Sequence, residues 1–152
     1  HPRSFDQLAY EDFASDPGIF ELGDGTSYDA TEEAIRITHA PEGDSPGCAT
    51  GAIDLSDAEA LKVAFRYRPE SMEAGERLLV ELWDGVEWTT ILTLESEVDF
   101  RNGADDYGFV RLTSDHAPFV SDARIRVRCE GNDASDAVLL LDMGIYARPA
   151  GG

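Results

Sequence analysis

The chain predicts an all-β fold, a β-sandwich. Helical periodicity is almost absent from its 152 residues. Short runs of alternating apolar and polar residues take its place, separated by clusters of Gly, Pro, Asp and Asn. A period of two is what a strand buried on one face requires, because successive side chains point to opposite faces. Many short strands punctuated by turn residues are the pattern of a sandwich.

In chain order, strands are expected at residues 9–13, 19–22, 34–38, 49–55, 61–68, 78–83, 88–94, 107–112, 124–129 and 137–146. The alternation is clearest in 61–68, where Leu61, Val63, Phe65 and Tyr67 lie in phase opposite Lys62, Arg66 and Arg68. In 124–129, Ile125, Val127 and Cys129 alternate with Arg124, Arg126 and Arg128, and Arg111 sits between Val110 and Leu112. Asp84-Gly85, between 78–83 and 88–94, marks a hairpin. Asp57-Ala58-Glu59-Ala60 is expected to form a brief helical turn, and 100–106 and 115–119 to be loops. The whole chain, 1–152, reads as one domain with a core over about 9–147 and a tail at Ala150-Gly151-Gly152. A domain of this size buries roughly 70% of its unfolded surface, enough for a core without staples.

Composition narrows the partners. Twelve Lys and Arg stand against 31 Asp and Glu, a formal net charge of −19. Such a field opposes nucleic acid and anionic membrane surfaces. No apolar run approaches the ~20 residues needed to cross a bilayer, so no membrane insertion is expected. Lys62 is the single lysine, against eleven arginines. Salty surroundings, where salt screens self-repulsion, would suit this balance, as would a genome whose codons favour Arg. His1-Pro2-Arg3-Ser4-Phe5 holds no apolar leader segment, which fits a leader already removed or an excised domain. Cys48 and Cys129 match no metal-site spacing; they would pair in an oxidising compartment or pack as small hydrophobes.

The arginines carry the functional reading. If their strands are neighbours, Arg66, Arg68, Arg111, Arg126 and Arg128 line one basic sheet face opposite the core. Arginine pairs carboxylates and sulfates in bidentate fashion and stacks on rings, so this face would suit an acidic glycan. Tyr107 or Trp83 at its rim would supply a stacking platform. The competing reading pairs each arginine with a nearby acid, at about 0.5 kcal/mol per pair, on a solvated or loop-covered face. Trp83 and Trp88 flank the hairpin turn, as sugar platform or as turn packing. Catalytic patterns are thin. His1, His39 and His116 are scattered, and H-E-x-x-H, Gly-x-Ser-x-Gly and a glycine-rich phosphate loop are missing from the sequence. A carboxylate pair chosen from 31 acids carries no information. A non-catalytic domain is expected.

Several segments, in order and spacing, suggest a family: Ile53-Asp54-Leu55-Ser56, Ser71-Met72-Glu73-Ala74-Gly75-Glu76, Asp84-Gly85, Trp88-Thr89-Thr90, Asp99-Phe100-Arg101-Asn102-Gly103, Ile125-Arg126-Val127-Arg128-Cys129 and Leu140-Leu141-Asp142. Over about residues 11–145 the chain resembles a MAM-like jelly-roll module of bacterial secreted multidomain proteins. Such modules are similar to carbohydrate-binding modules and to the adhesive MAM domains of animal receptors. The resemblance implies a two-sheet antiparallel jelly roll and an extracellular domain, covalently linked to neighbours and monomeric when isolated, that binds polysaccharide; the arginine face adds the expectation of an acidic one. It also implies a structural calcium ion between the first and last strands. Glu11 or Asp12 would match the first-strand ligand and Asp142 the first of a last-strand pair, with Asp29 and Asp136 as further donors. Two positions depart: Met143 stands second in the last-strand pair, and one register puts Ala14 where the first acid belongs. Calcium needs about six to eight oxygens, and the acids at Glu11-Asp12, 24–29 and 133–142 could supply them without an EF-hand loop. The alternative implied by the same resemblance is a MAM-like protein-interaction, adhesion or spacer domain with internally paired arginines. An open arginine or aromatic groove would favour glycan binding over the spacer.

Overall fold

The computed structural model describes residues 4–39, 46–131 and 135–150. Eleven strands form, and no helix occurs among the described residues: β1 (Asp6–Glu11), β2 (Phe20–Leu22), β3 (Thr26–Asp29), β4 (Ala34–Thr38), β5 (Cys48–Thr50), β6 (Ala58–Glu70), β7 (Arg77–Trp83), β8 (Trp88–Glu95), β9 (Asp106–Thr113), β10 (Arg124–Glu130) and β11 (Ala137–Pro149). They make the two antiparallel sheets expected. The larger has the order β3-β4-β11-β6-β9, with β1 also paired to β11; the smaller has the order β2-β5-β10-β7-β8. On one side β11 pairs with β6 along nearly its whole length. On the other it pairs first with β4 and then with β1.

The inward phases of both sheets meet in one core. Ile35, Ile37, Leu61, Val63, Phe65, Tyr67, Val138, Leu140, Met143 and Ile145 come from the larger sheet. Phe20, Cys48, Leu78, Val80, Leu82, Ile125, Val127 and Cys129 come from the smaller one. A register shift between Leu140 and Asp142 changes the phase of β11. Val138 and Leu140 face the core before it, Met143 and Ile145 after it, and Asp142 is turned to the outer face. The bulge lets one long strand stay buried on the same side despite its irregular pattern.

Three sequence expectations are corrected. Asp57-Ala58-Glu59-Ala60 is not helical: β6 begins at Ala58, and Ala60 is fully buried in the core. The strand expected over 49–55 ends at Thr50; beyond it Ile53 makes an isolated bridge to Ala123, and Leu55 still reaches the core. The unforeseen strand, β3, lies in the acid-rich stretch before Ala34 and pairs with β4. The hairpin at Asp84-Gly85 forms as expected. Trp83 pairs with Trp88, Asp84 accepts from the backbone N–H of Val86 and Glu87, and Gly85 takes the left-handed φ of 95° that the turn requires. Cys48 and Cys129 are both free and buried, and burial pushes each thiol up to about 12.

Candidate functional site

The single basic face does not form. Arg66, Arg68 and Arg111 stand on β6 and β9 of the six-stranded sheet, whereas Arg126 and Arg128 stand on β10 of the five-stranded sheet. Each set points outward from its own sheet, so the two lie on opposite sides of the sandwich. Alternation places a side chain in or out; it does not say which sheet receives the strand.

On the five-stranded sheet the arginines gather around Glu81. This carboxylate is 4% exposed, and its Oε1 accepts from Arg126 Nε at 2.7 Å and from Arg128 Nε at 2.9 Å. Glu81 and Arg126 are direct cross-strand partners, so the pair is set by sheet register. The Arg126 guanidinium lies over the Trp88 ring, 4.3 Å from its centre, and Trp88 packs against Trp83 with ring centroids 5.5 Å apart. Both tryptophans are half-buried on the outer face. Arg124, in the same phase, reaches Glu21 on β2 at 3.4 Å.

A groove of about 270 Å³ runs past these groups across the strands, bordered by Glu21, Pro46, Ala49, Trp88, Arg124 and Arg126. Its floor is low because Ala49 is small and faces Arg126 across the ladder. Gly47, with φ 80°, comes so close to β10 that a Cβ there would collide with the Val127 carbonyl. Trp88 and Gly47 both border the groove. In the sequence Trp88 was legible as a turn aromatic, either sugar platform or turn packing, and Gly47 gave no signal.

The outer face of the six-stranded sheet is differently arranged. Arg66 binds Asp142 (Nε–Oδ2 3.1 Å) and Asp105 (3.2 Å), and Arg68 binds Asp105 (2.7 Å) and Glu32 (2.8 Å). Arg36 likewise holds Asp29 and Glu70. These bonds raise the pKa of all three guanidiniums, Asp142, Asp105 and Glu70 being the main causes for Arg66, Arg68 and Arg36 respectively. Leu139, whose register partners are Arg36 and Arg68, is buried on this face with Ala34 and Leu141, beneath the charged layer. Arg111 makes no ion pair among the described residues. With Lys62 and Arg148 it surrounds the Phe5 ring, at 5.1, 5.0 and 5.5 Å from the ring centre. Tyr107 is 77% exposed on β9, on this sheet and remote from Trp83.

The acids expected to hold calcium are dispersed. Glu11 Oε1 accepts the Ile19 N–H, Asp12 caps Ala14, Asp29 is bound to Arg36 and Asp142 to Arg66. Opposite Glu11 in the ladder stands Met143, fully buried in the apolar core. Asp136 lies elsewhere, with Glu73 and Glu76; one carboxylate oxygen from each of these three falls within 4.8 Å of the others. Among the described residues this is the group of acids that converges. Asp136 and Glu76 are both buried, at 1% and 8% exposure. Asp133 lies outside the described residues. Of the histidines, His39 and His116 each accept a backbone N–H, from Gly131 and Thr113; His1 lies outside the described residues.

No protein-family model and no curated protein sequence matches the chain. Solved structures do. The CBM22-1 xylan-binding domain of Paenibacillus barcinonensis Xyn10C superimposes with a TM-score of 0.68 at 14% identity, over 99% of this chain and 100% of that one. The CBM22-1–GH10 modules of Clostridium thermocellum Xyn10B, complexed with xylohexaose, give 0.67 at 12% identity, over 95% of this chain and 29% of that one. The xylan-binding module CBM15 gives 0.60 at 11% identity, over 97% and 99%. The likeness is one of fold. It falls on the β-sandwich of carbohydrate-binding modules.

Proposed function

We propose that the domain is a non-catalytic polysaccharide-binding module whose site is the groove across the five-stranded sheet. One observation carries this reading: Arg126 is stacked on Trp88 and locked by buried Glu81 at the edge of an open groove. A flat guanidinium–indole surface offers a pyranose ring both a stacking face and fixed donors. In the ion-paired set beside the groove four guanidiniums, Arg77, Arg124, Arg126 and Arg128, share three carboxylates, Glu21, Glu81 and Glu130. In a chain of net charge −19 that local excess favours a glycan with acidic substituents. Xylan is the first polymer to test, because the neighbours in fold are named for it. An extracellular setting beside other domains suits such a module; the Clostridium thermocellum structure similar to it also holds a GH10 module.

The test is titration calorimetry with xylo-oligosaccharides that do or do not carry glucuronic acid. Trp88→Ala should weaken both at least about tenfold, or 1.4 kcal/mol. Arg126→Ala should lose mainly the preference for the acidic ligand. Wild-type affinity in both variants, with folding intact, would remove the groove from consideration.

Calcium stays part of the proposal on the ground of the resemblance. Glu73, Glu76 and Asp136 offer the hard oxygen donors such an ion takes, closer together than the five acids first considered. A ligand that binds only the native state adds about 2.7 kcal/mol at one hundred times its Kd. Thermal unfolding in calcium should therefore exceed that in chelator, and Asp136→Asn should abolish the difference. Equal midpoints for the wild type would reject the ion.

The alternative is the MAM-like interaction or spacer domain. It is favoured by the doubly paired arginines of the six-stranded sheet. It expects no glycan affinity in either titration.

A further inference from the structure

We infer that the outer face of the six-stranded sheet is a second sugar-binding surface, one that takes an uncharged pyranose chain. This rests on the polysaccharide reading for its ligand class, and on different residues for its site.

Among the described residues, three aromatic side chains rank as exposed: Tyr10 at 48%, Tyr107 at 77% and Phe109 at 56%. All three stand on this one face. Register places them. Tyr10 pairs with Gly144, Gly144 with Ala64, and Ala64 with Phe109, a single row across β1, β11, β6 and β9. Three ladder spacings put the ends of the row about 14 Å apart. Two small residues lie between the rings, and Tyr146 lies down over Gly144, where a Cβ would strike its ring. The result is a shelf of aromatic surface with a shallow middle. Solvent-exposed rings gathered on one face, rather than scattered, mark a contact surface.

The polar frame selects the ligand. Tyr107 is the cross-strand partner of Arg66, which Asp142 and Asp105 hold in place. Around Arg66 and Arg68 three carboxylates, from Asp142, Asp105 and Glu32, answer two guanidiniums. Further along the same strands Lys62 lies over the Tyr146 and Phe5 rings, at 4.7 and 5.0 Å from their centres, and Arg111 over Phe5. Over the whole face six cations, Arg36, Lys62, Arg66, Arg68, Arg111 and Arg148, stand against six acids, Asp29, Glu32, Glu59, Glu70, Asp105 and Asp142, so it holds no excess charge to draw a uronic acid, and the chain's net charge of −19 opposes a second copy. The frame leaves anchored acceptors and donors beside apolar rings, the combination that meets the hydroxyls and C–H face of a neutral sugar. With the groove on the opposite side, one domain would hold two chains and gain retention on a solid polymer through avidity.

The test uses the intact chain and insoluble unsubstituted xylan, measured by depletion isotherms. Tyr107→Ala with Phe109→Ala should weaken retention about tenfold while leaving xylohexaose affinity at the groove within about twofold. Ala64→Arg, which keeps both rings and fills the shelf, should give the same loss. Trp88→Ala should keep a residual, salt-independent retention that disappears when the three substitutions are combined. If the ring variants match the wild type while Trp88→Ala loses all retention, the second surface is wrong and the groove stands. If the wild type binds no xylan, soluble or solid, both readings fall. Sedimentation velocity supplies the remaining arm: a wild-type dimer that the ring variants turn to monomer would make the face a contact between copies and overturn the inference.

Discussion

On the five-stranded sheet one carboxylate, Glu81, serves two guanidiniums; on the six-stranded sheet Arg66 and Arg68 share Asp105 and each holds a second acid besides. The first arrangement is buried, and the second is more than a third exposed on its acid side at Asp105. The same residue type thus shares one buried acid on one face, whereas on the other Arg36, Arg66 and Arg68 take two acids apiece and Arg111 packs on Phe5. What separates an available arginine from a structural one is the count of its acids and the water they keep.

That contrast can be broken at three points. Glu81→Ala should be the most damaging change, because it strands Arg126 and Arg128 with their main partner gone. Removing one side of a buried pair costs about 3 kcal/mol, which urea unfolding would read. A loss below about 1 kcal/mol would mean the guanidiniums simply turn to water, and Glu81 would not be a clamp. Acid comes next. Asp84 is held below the ordinary carboxylate range by the backbone N–H groups of Glu87 and Val86, Asp54 by the hydroxyl and N–H of Ser56, and Asp29 by the Glu32 N–H and Arg36. A carboxyl lowered on folding stabilises fully above its unfolded value, near 3.8, and loses that contribution as pH falls through the lowered one. Midpoints should therefore drop as pH falls below about 4. The drop should be shallower in Asp84→Asn, and an identical acid limb would remove the turn from the account. Asp105→Ala should have the smallest effect, about 0.5 kcal/mol, since Arg66 keeps Asp142 and Arg68 keeps Glu32. A loss as large as that at Glu81 would erase the distinction between the faces.

Strand existence was legible in the sequence, and strand partnership was not. The alternation of Leu61, Val63, Phe65 and Tyr67 with charged residues marked β6, and that of Ile125, Val127 and Cys129 marked β10. Both predicted an outward basic side, correctly. Nothing in either run said that the two strands belong to different sheets. β3 escaped because Thr26, Ser27, Tyr28 and Asp29 have no apolar phase; this edge strand is fixed by pairing with β4 and by the Tyr28 hydroxyl donating to the Phe13 carbonyl at 2.6 Å. Ala58-Glu59-Ala60 looked helical because small and acidic residues favour helices in isolation. Burial of Ala60 overrides that preference. In the candidate site, Arg126, Arg128 and Trp83 were legible from phase and position. Glu81 was not, since a lone acid among Val80 and Leu82 reads as an ordinary outward residue until its two arginines arrive from β10. Glu73 and Glu76 meet Asp136 only through the fold.

The place of β11 has a kinetic consequence. It is the last strand in the chain and lies inside the larger sheet, with β4, β1 and β6 as partners. The pairing of Asp6 with Ala147 spans almost the whole sequence. Until that final segment leaves the ribosome, β1, β4 and β6 have no common strand to join, and their inward faces stay open to aggregation. Contacts so distant in sequence place such a domain among folders that take milliseconds to seconds, and closure of the larger sheet would be their late event.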